Sequence, residues 1–150
     1  MRDRAILEVL FSTGLRIAEL VALDRRQIRF PKNLSDEFEL LVTGKGGRMR
    51  TVYFSERALR ALKNYLDRRE DVHEALFVTR RNEKKKTEVC RISPRTIQEF
   101  FKKYAAQAGI PLNTTPHVMR HSMASDFVAQ GVDIRTIQEF LGHKNIAATQ

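Results

Sequence analysis

A glycine-rich centre, Gly44-Lys45-Gly46-Gly47, lies between two β-favouring runs, Phe38 to Val42 and Thr51 to Phe54, in a chain otherwise patterned for helices. Glycines in that setting predict a β-hairpin, because tight hairpin turns use backbone conformations that side chains resist. Lys45 is therefore expected at or near a β-turn. The residues around the hairpin recur at helical spacing. Ile6, Val9 and Leu10, then Ile17, Leu20 and Val21, predict two short helices separated at Gly14. Ser55 is placed to cap a helix carrying Leu59, Leu62 and Leu66 on one face, and Leu76-Phe77-Val78 is a short strand candidate. Ser93-Pro94 pairs a capping serine with proline at the first helical position, and Ile97, Phe100, Phe101, Tyr104 and Ala108 carry that helix to Gly109. Further helices are expected from Pro116 to Gly131, and from the cap Asp133 through Ile137 and Leu141 to Gly142, with Asn145 opening another. The expected fold class is α+β, mostly α, with a small antiparallel sheet. No repeat or linker divides the chain.

At 150 residues and 42% hydrophobic, the chain has enough apolar material for one core and too much for a disordered basic tail. Its 27 Lys and Arg exceed its 18 Asp and Glu, a formal charge of +9, which favours a polyanionic partner, nucleic acid foremost. The excess is uneven: Arg80 to Lys103 holds nine basic residues against three acidic ones. Arg80, Arg81, Lys84, Lys85, Lys86 and Arg95 are the candidate DNA contacts there, a solvated face being the other reading. No apolar run reaches the roughly 18 residues a membrane span needs, and no long apolar stretch opens the chain. A soluble, intracellular protein without a membrane partner is expected. The single cysteine, Cys90, excludes an internal disulfide and a Cys-based zinc cluster.

His117 and His121 lie four apart on an expected helix, the spacing of a metal pair, but Val118 stands where a zinc protease needs its glutamate. Metal hydrolysis is disfavoured, and no metal or cofactor is expected. Alone, His121 reads as a capping or packing residue. Residues 133–150 could form a helix-turn-helix, yet the second helix, Ile146 to Gln150, offers no Arg or Lys for base contacts, and an ordinary helical corner suits it better.

Four motifs then fall in order: Thr13-Gly14-Leu15-Arg16-Ile17-Ala18-Glu19-Leu20, Gly44-Lys45-Gly46, His117-Val118-Met119-Arg120-His121 and Leu141-Gly142-His143. In order and spacing they resemble the catalytic domain of the tyrosine site-specific recombinases, the phage-integrase family, over nearly the whole chain. The resemblance implies that Arg16 and Arg120 grip a scissile phosphate and that Lys45 is the family's hairpin lysine. It makes His117 and His143 the two active-site histidines and Glu19 a supporting acid. Elementary chemistry agrees. Moving a phosphodiester from a sugar hydroxyl to a protein hydroxyl develops charge on the non-bridging oxygens, and guanidinium forks are permanent bidentate donors for them. Lys45 suits the general acid that protonates the departing 5′-oxygen, His117 the base, and His143 a donor to the phosphate or a support for the nucleophile. Read singly, Arg16 is better taken as a surface arginine, Lys45 as a turn lysine and Glu19 as a salt-bridge partner. Together they favour the recombinase.

The family's nucleophilic tyrosine would fall about nine residues after His143, just past Gln150. Tyr53, Tyr65 and Tyr104 occupy positions the family does not use, and their phenols are expected at the edge of the core. The family's amino-terminal core-binding domain would precede the Arg16 motif by more chain than is present. The expectation is an incomplete catalytic domain, residues 1–150, inactive without the tyrosine, from a parent that acts as a tetramer on double-stranded DNA at the nucleoid. The fragment itself is expected to be monomeric. A non-catalytic DNA-binding module of the same fold and a type IB topoisomerase relative are the alternatives.

Overall fold

Helix stops at glycine and helix starts at serine or proline divide the chain much as its pattern suggests. The computed structural model describes residues 1–44, 47–81, 88–111 and 114–141. Among them, α1 (Arg2–Thr13) and α2 (Ile17–Ala22) lead through a short 3-10 turn (Arg25–Gln27) to a hairpin of β1 (Phe38–Thr43) and β2 (Met49–Phe54). Helix α3 (Glu56–Leu66), a second hairpin of β3 (Val78–Arg81) and β4 (Glu88–Arg91), then α4 (Pro94–Gln107), α5 (Pro116–Ala129) and α6 (Ile134–Leu141) follow.

The core forms where apolar stripes meet. Helix α1 buries Ala5, Ile6, Val9 and Leu10, and it packs on α3, which buries Ala58, Leu59 and Leu62. The first hairpin is antiparallel from Phe38 opposite Phe54 to Thr43 opposite Met49, and Val42, Val52 and Phe54 turn into the same core. Helix α4 adds Ile97, Phe100, Phe101 and Ala105, and α5 lies along α1. Met123, Ala124 and Ile137, with Phe127 against them, form a smaller cluster joining α5 to α6. Among the described residues no helix is long and apolar enough to cross a membrane.

The helix starts have the chemistry their sequence implies. Ser55 Oγ accepts the Ala58 N–H at 3.2 Å, and Ser93 Oγ accepts the Thr96 N–H at 3.2 Å ahead of Pro94. Each satisfies a helix-end donor that lacks an intrahelical partner. Ser93→Ala should lower stability by about 1 kcal/mol, read as a shift in urea midpoint at unchanged slope.

Three expectations need correction. The strand foreseen at Leu76 to Val78 begins only at Val78; Leu76 instead donates its N–H to the Leu23 carbonyl at 2.8 Å, and Leu76 and Phe77 plug the core. Strand β4 has no counterpart in the sequence pattern. Its Glu-Val-Cys-Arg sequence has no apolar alternation, and it is a strand because Val78 to Arg81 pair with it. The tyrosines also divide. Tyr65 is buried, stacks on Phe77 and accepts the Val78 N–H at 3.2 Å, whereas Tyr53 and Tyr104 are 41% and 40% exposed. Asn145 and the Ile146 to Gln150 segment lie outside the described residues.

Candidate functional site

The corner between α1 and α2 is built by its own sequence. Thr13, fully buried, donates its hydroxyl back to the Val9 carbonyl at 2.6 Å and accepts the Leu15 N–H at 3.3 Å. Gly14 follows in the left-handed conformation, φ 59°, which ends α1 and which a side chain would resist. Arg16 is extended, and Glu19 folds back to accept its backbone N–H at 2.8 Å, capping the first turn of α2. The same carboxylate takes a hydrogen bond from Arg16 Nη1 at 2.9 Å.

Two distant elements close on this corner. From β2, Arg50 grips both oxygens of Glu19, Nη1 to Oε1 at 3.0 Å and Nη2 to Oε2 at 2.8 Å. From α5, the buried Arg120 donates through Nη1 to the Gly14 carbonyl. Arg16 and Arg50 thus share one carboxylate, and Arg120 lies near enough to feel its charge, leaving the cluster of three arginines and one glutamate with a net positive charge of about two. The side chains of Glu19 and Arg50 are only 7% and 9% exposed, whereas that of Arg16 is 35% exposed and faces outward in part. Gly44 at the end of β1 packs on the pair. A Cβ there would stand 3.2 Å from both Arg50 Nη1 and Glu19 Oε1.

Electrostatics tie the groups together. Burial lowers the Arg120 guanidinium, and the charges of Arg16 and Arg50 lower it further against the pull of Glu19, to about 10. It stays charged at neutral pH. Burial alone would raise the Glu19 carboxyl, but hydrogen bonds from Arg50 and from the backbone and side chain of Arg16 outweigh that and hold it at about 2. A carboxyl depressed from 4.5 to about 2 stabilises the fold above its unfolded value, and that stability is lost as pH falls through this window. Glu19→Gln should remove a contribution on the order of 3 kcal/mol from the difference in unfolding free energy between pH 6 and pH 2. Asp71, also held at about 2 chiefly by its hydrogen bond from Arg69, loses its share in both proteins, so the comparison isolates Glu19.

The structure therefore brings Arg16, Glu19 and Arg120 together. A cleft of about 400 Å³, lined by Ile17, Gln98, Lys102, Thr114, Thr115 and Pro116, opens beside the start of α2 and the start of α5. His117 sits in the first turn of α5, and its side chain is outside the described set; Lys45 and His143 lie outside the described residues altogether. Among the candidate DNA contacts, Arg80 and Arg81 belong to β3, with side chains outside the described set, and Lys84, Lys85 and Lys86 lie outside the described residues. Arg95 projects from α4 and pairs with Glu99 at 2.8 Å. Arg91, in the same basic run, turns inward to the Val21 and Leu23 carbonyls and Asp24, so part of that charge holds the fold.

Arg50 was missed by sequence reasoning. The available signal was its register: the hairpin sets Arg50 opposite the buried Val42, and a buried charge on a strand requires a partner.

Comparison with known proteins adds a family match, a relative and two structural neighbours. The sequence profile of the phage integrase family matches residues 1–150. The tyrosine recombinase XerA of Pyrococcus furiosus is 41% identical over 150 residues, all of this chain and 49% of that protein. The crystal structure of XerA recombinase superimposes with a TM-score of 0.80 at 33% identity, covering 99% of this chain and 52% of that one. The XerH recombinase bound to a palindromic difH substrate shares the fold, with a TM-score of 0.76 at 22% identity over 99% of this chain and 40% of that one. The chain spans about half the length of the curated relatives it matches.

Proposed function

The chain belongs to the phage integrase family, and on that premise we propose that it carries the phosphate-gripping part of a metal-independent site for cutting and rejoining duplex DNA. The observation that carries the reading is the meeting of Arg16 and Arg120, far apart in sequence, at the α1–α2 corner, where Arg120 holds the Gly14 carbonyl and Arg16 holds Glu19. Arg120 is anchored on the Gly14 carbonyl and Arg16 on Glu19, so both forks are held before any substrate arrives. Two pre-positioned guanidinium groups oppose charge developing on the non-bridging oxygens without reorganising at the moment of reaction.

Around that pair, Lys45 protonates the departing 5′-oxygen, His117 accepts the proton of the attacking hydroxyl, and His143 binds the phosphate or steadies the nucleophile. The nucleophile is a tyrosine hydroxyl about nine residues beyond His143. Its attack forms the bond from phosphorus to the phenolic oxygen, breaks the bond from phosphorus to the 5′-oxygen and leaves a 3′-phosphotyrosyl link. The second strand end reverses the step. On this reading residues 1–150 belong to the catalytic domain, the whole protein works as a tetramer on DNA at the nucleoid, and basic side chains including Arg95 meet the backbone.

The test is duplex binding by this chain across a salt series. Log affinity should fall linearly with log salt, with a slope of roughly −0.9 for each phosphate contacted. Sequence preference should be slight. Binding that ignores salt would overturn the phosphate reading.

A further inference from the structure

We propose that Arg50 is a positioning residue for the phosphate site: by gripping both oxygens of Glu19 it offsets the carboxylate, so that Glu19 anchors Arg16 without neutralising it. The inference rests on the reading of Arg16 and Arg120 as a phosphate-binding pair.

Glu19 stands in direct contact with Arg16, through Nη1 and through the backbone N–H. Such a carboxylate fixes the arginine in place, but it is also a rival for the anion that the arginine is meant to bind. Left alone, a largely buried Glu19 would cancel Arg16, and the site would hold only the charge of Arg120. Arg50 alters that balance. Its two Nη groups meet the two carboxylate oxygens in a fork that only arginine can make, and its own side chain is 9% exposed, too enclosed to serve an incoming ligand first. Arg16 keeps its remaining donors on a side chain that is 35% exposed. The close approach of Gly44 to the pair also links the α2 corner to the end of β1, directly before Lys45 in sequence.

Formal charges give a distinct signature. The cluster of Arg16, Glu19, Arg50 and Arg120 carries +2; Arg50→Gln lowers it to +1, Glu19→Gln raises it to +3, and the double variant returns it to +2. Anion affinity should follow that order. A purely structural Arg50 predicts something else, since the double variant would then be no better than Arg50→Gln.

The experiment titrates inorganic phosphate into the 150-residue chain at constant ionic strength, following the Nε–H signals of Arg16 and Arg120 by NMR. In the wild-type chain both signals should shift saturably. Arg50→Gln should weaken phosphate binding about tenfold, the scale of one added charge at a partly screened site. The Glu19→Gln/Arg50→Gln variant should return to within about threefold of wild type, and Glu19→Gln alone should bind at least as well as wild type. Should Arg50→Gln fail to fold, Arg50→Lys, which loses the fork but keeps the charge beside Glu19 on which the offset depends, should stay within about threefold. A folded double variant no tighter than Arg50→Gln, or a tenfold loss in Arg50→Lys, would overturn the role of Arg50. Wild-type signals that ignore phosphate would overturn the phosphate-pair reading and this inference with it.

Discussion

Incubated with a nicked suicide substrate, the 150-residue chain should form no covalent protein–DNA adduct. Its three tyrosines do not suit the reaction. Tyr65 is buried, with its hydroxyl engaged by the Val78 N–H. The Tyr104 hydroxyl meets Asp3 at 3.2 Å, and Asp3 pushes its ionisation upward, away from nucleophilic form. Tyr53 lies on β2 three residues after Arg50, so its side chain is on the opposite face of the hairpin from the Arg50–Glu19 pair. Water could approach the phosphate, but an untethered oxygen forgoes the effective molarity of a positioned hydroxyl, about 7 to 11 kcal/mol of barrier lowering. A chain extended to place a tyrosine about nine residues after His143 should form a 3′-phosphotyrosyl adduct that denaturing electrophoresis retains. An adduct on the shorter chain would make Tyr53, Tyr65 or Tyr104 the nucleophile and displace the site. DNA binding by the extended chain without any adduct would favour a binding module over a strand transferase.

In that extended chain, Arg120→Ala should slow adduct formation by roughly 10²- to 10³-fold, about 3 to 4 kcal/mol, the usual cost of removing one charged donor to a transition state. Two effects must be separated, because Arg120 also satisfies the Gly14 carbonyl inside the protein. A buried carbonyl left without its donor costs about 1 to 3 kcal/mol of stability. Single-turnover rates under conditions where circular dichroism shows the variant fully folded isolate the chemical effect. Arg120→Lys should remain slow even when folded, since one ammonium lacks the planar fork to serve the Gly14 carbonyl and a phosphate together. A folded Arg120→Ala protein with an undiminished rate would remove Arg120 from the site.

What could be read from the order of residues was local. Thr13-Gly14-Leu15-Arg16 signals a helix stop followed by a start because the left-handed glycine and the Glu19 cap act within a few residues. Ser93-Pro94 signals α4 for the same reason, and the paired runs around Gly44 to Gly47 signal the first hairpin. The motif resemblance is enough to group Arg16 and Glu19 with Arg120, although most of the chain separates them in sequence. Tertiary structure decided the rest. Strand β4 exists because β3 offers it a hydrogen-bonding edge, and its own residues carry no pattern that says so. Arg91 and Arg95 look alike in a basic run, yet one holds the carbonyls of Val21 and Leu23 while the other projects into solvent. Arg50 became a member of the site only when β2 was laid beside the α1–α2 corner. Backbone preferences and caps act over three or four residues and so are written in sequence order. Burial and charge pairing act through space, between residues that the fold alone makes neighbours.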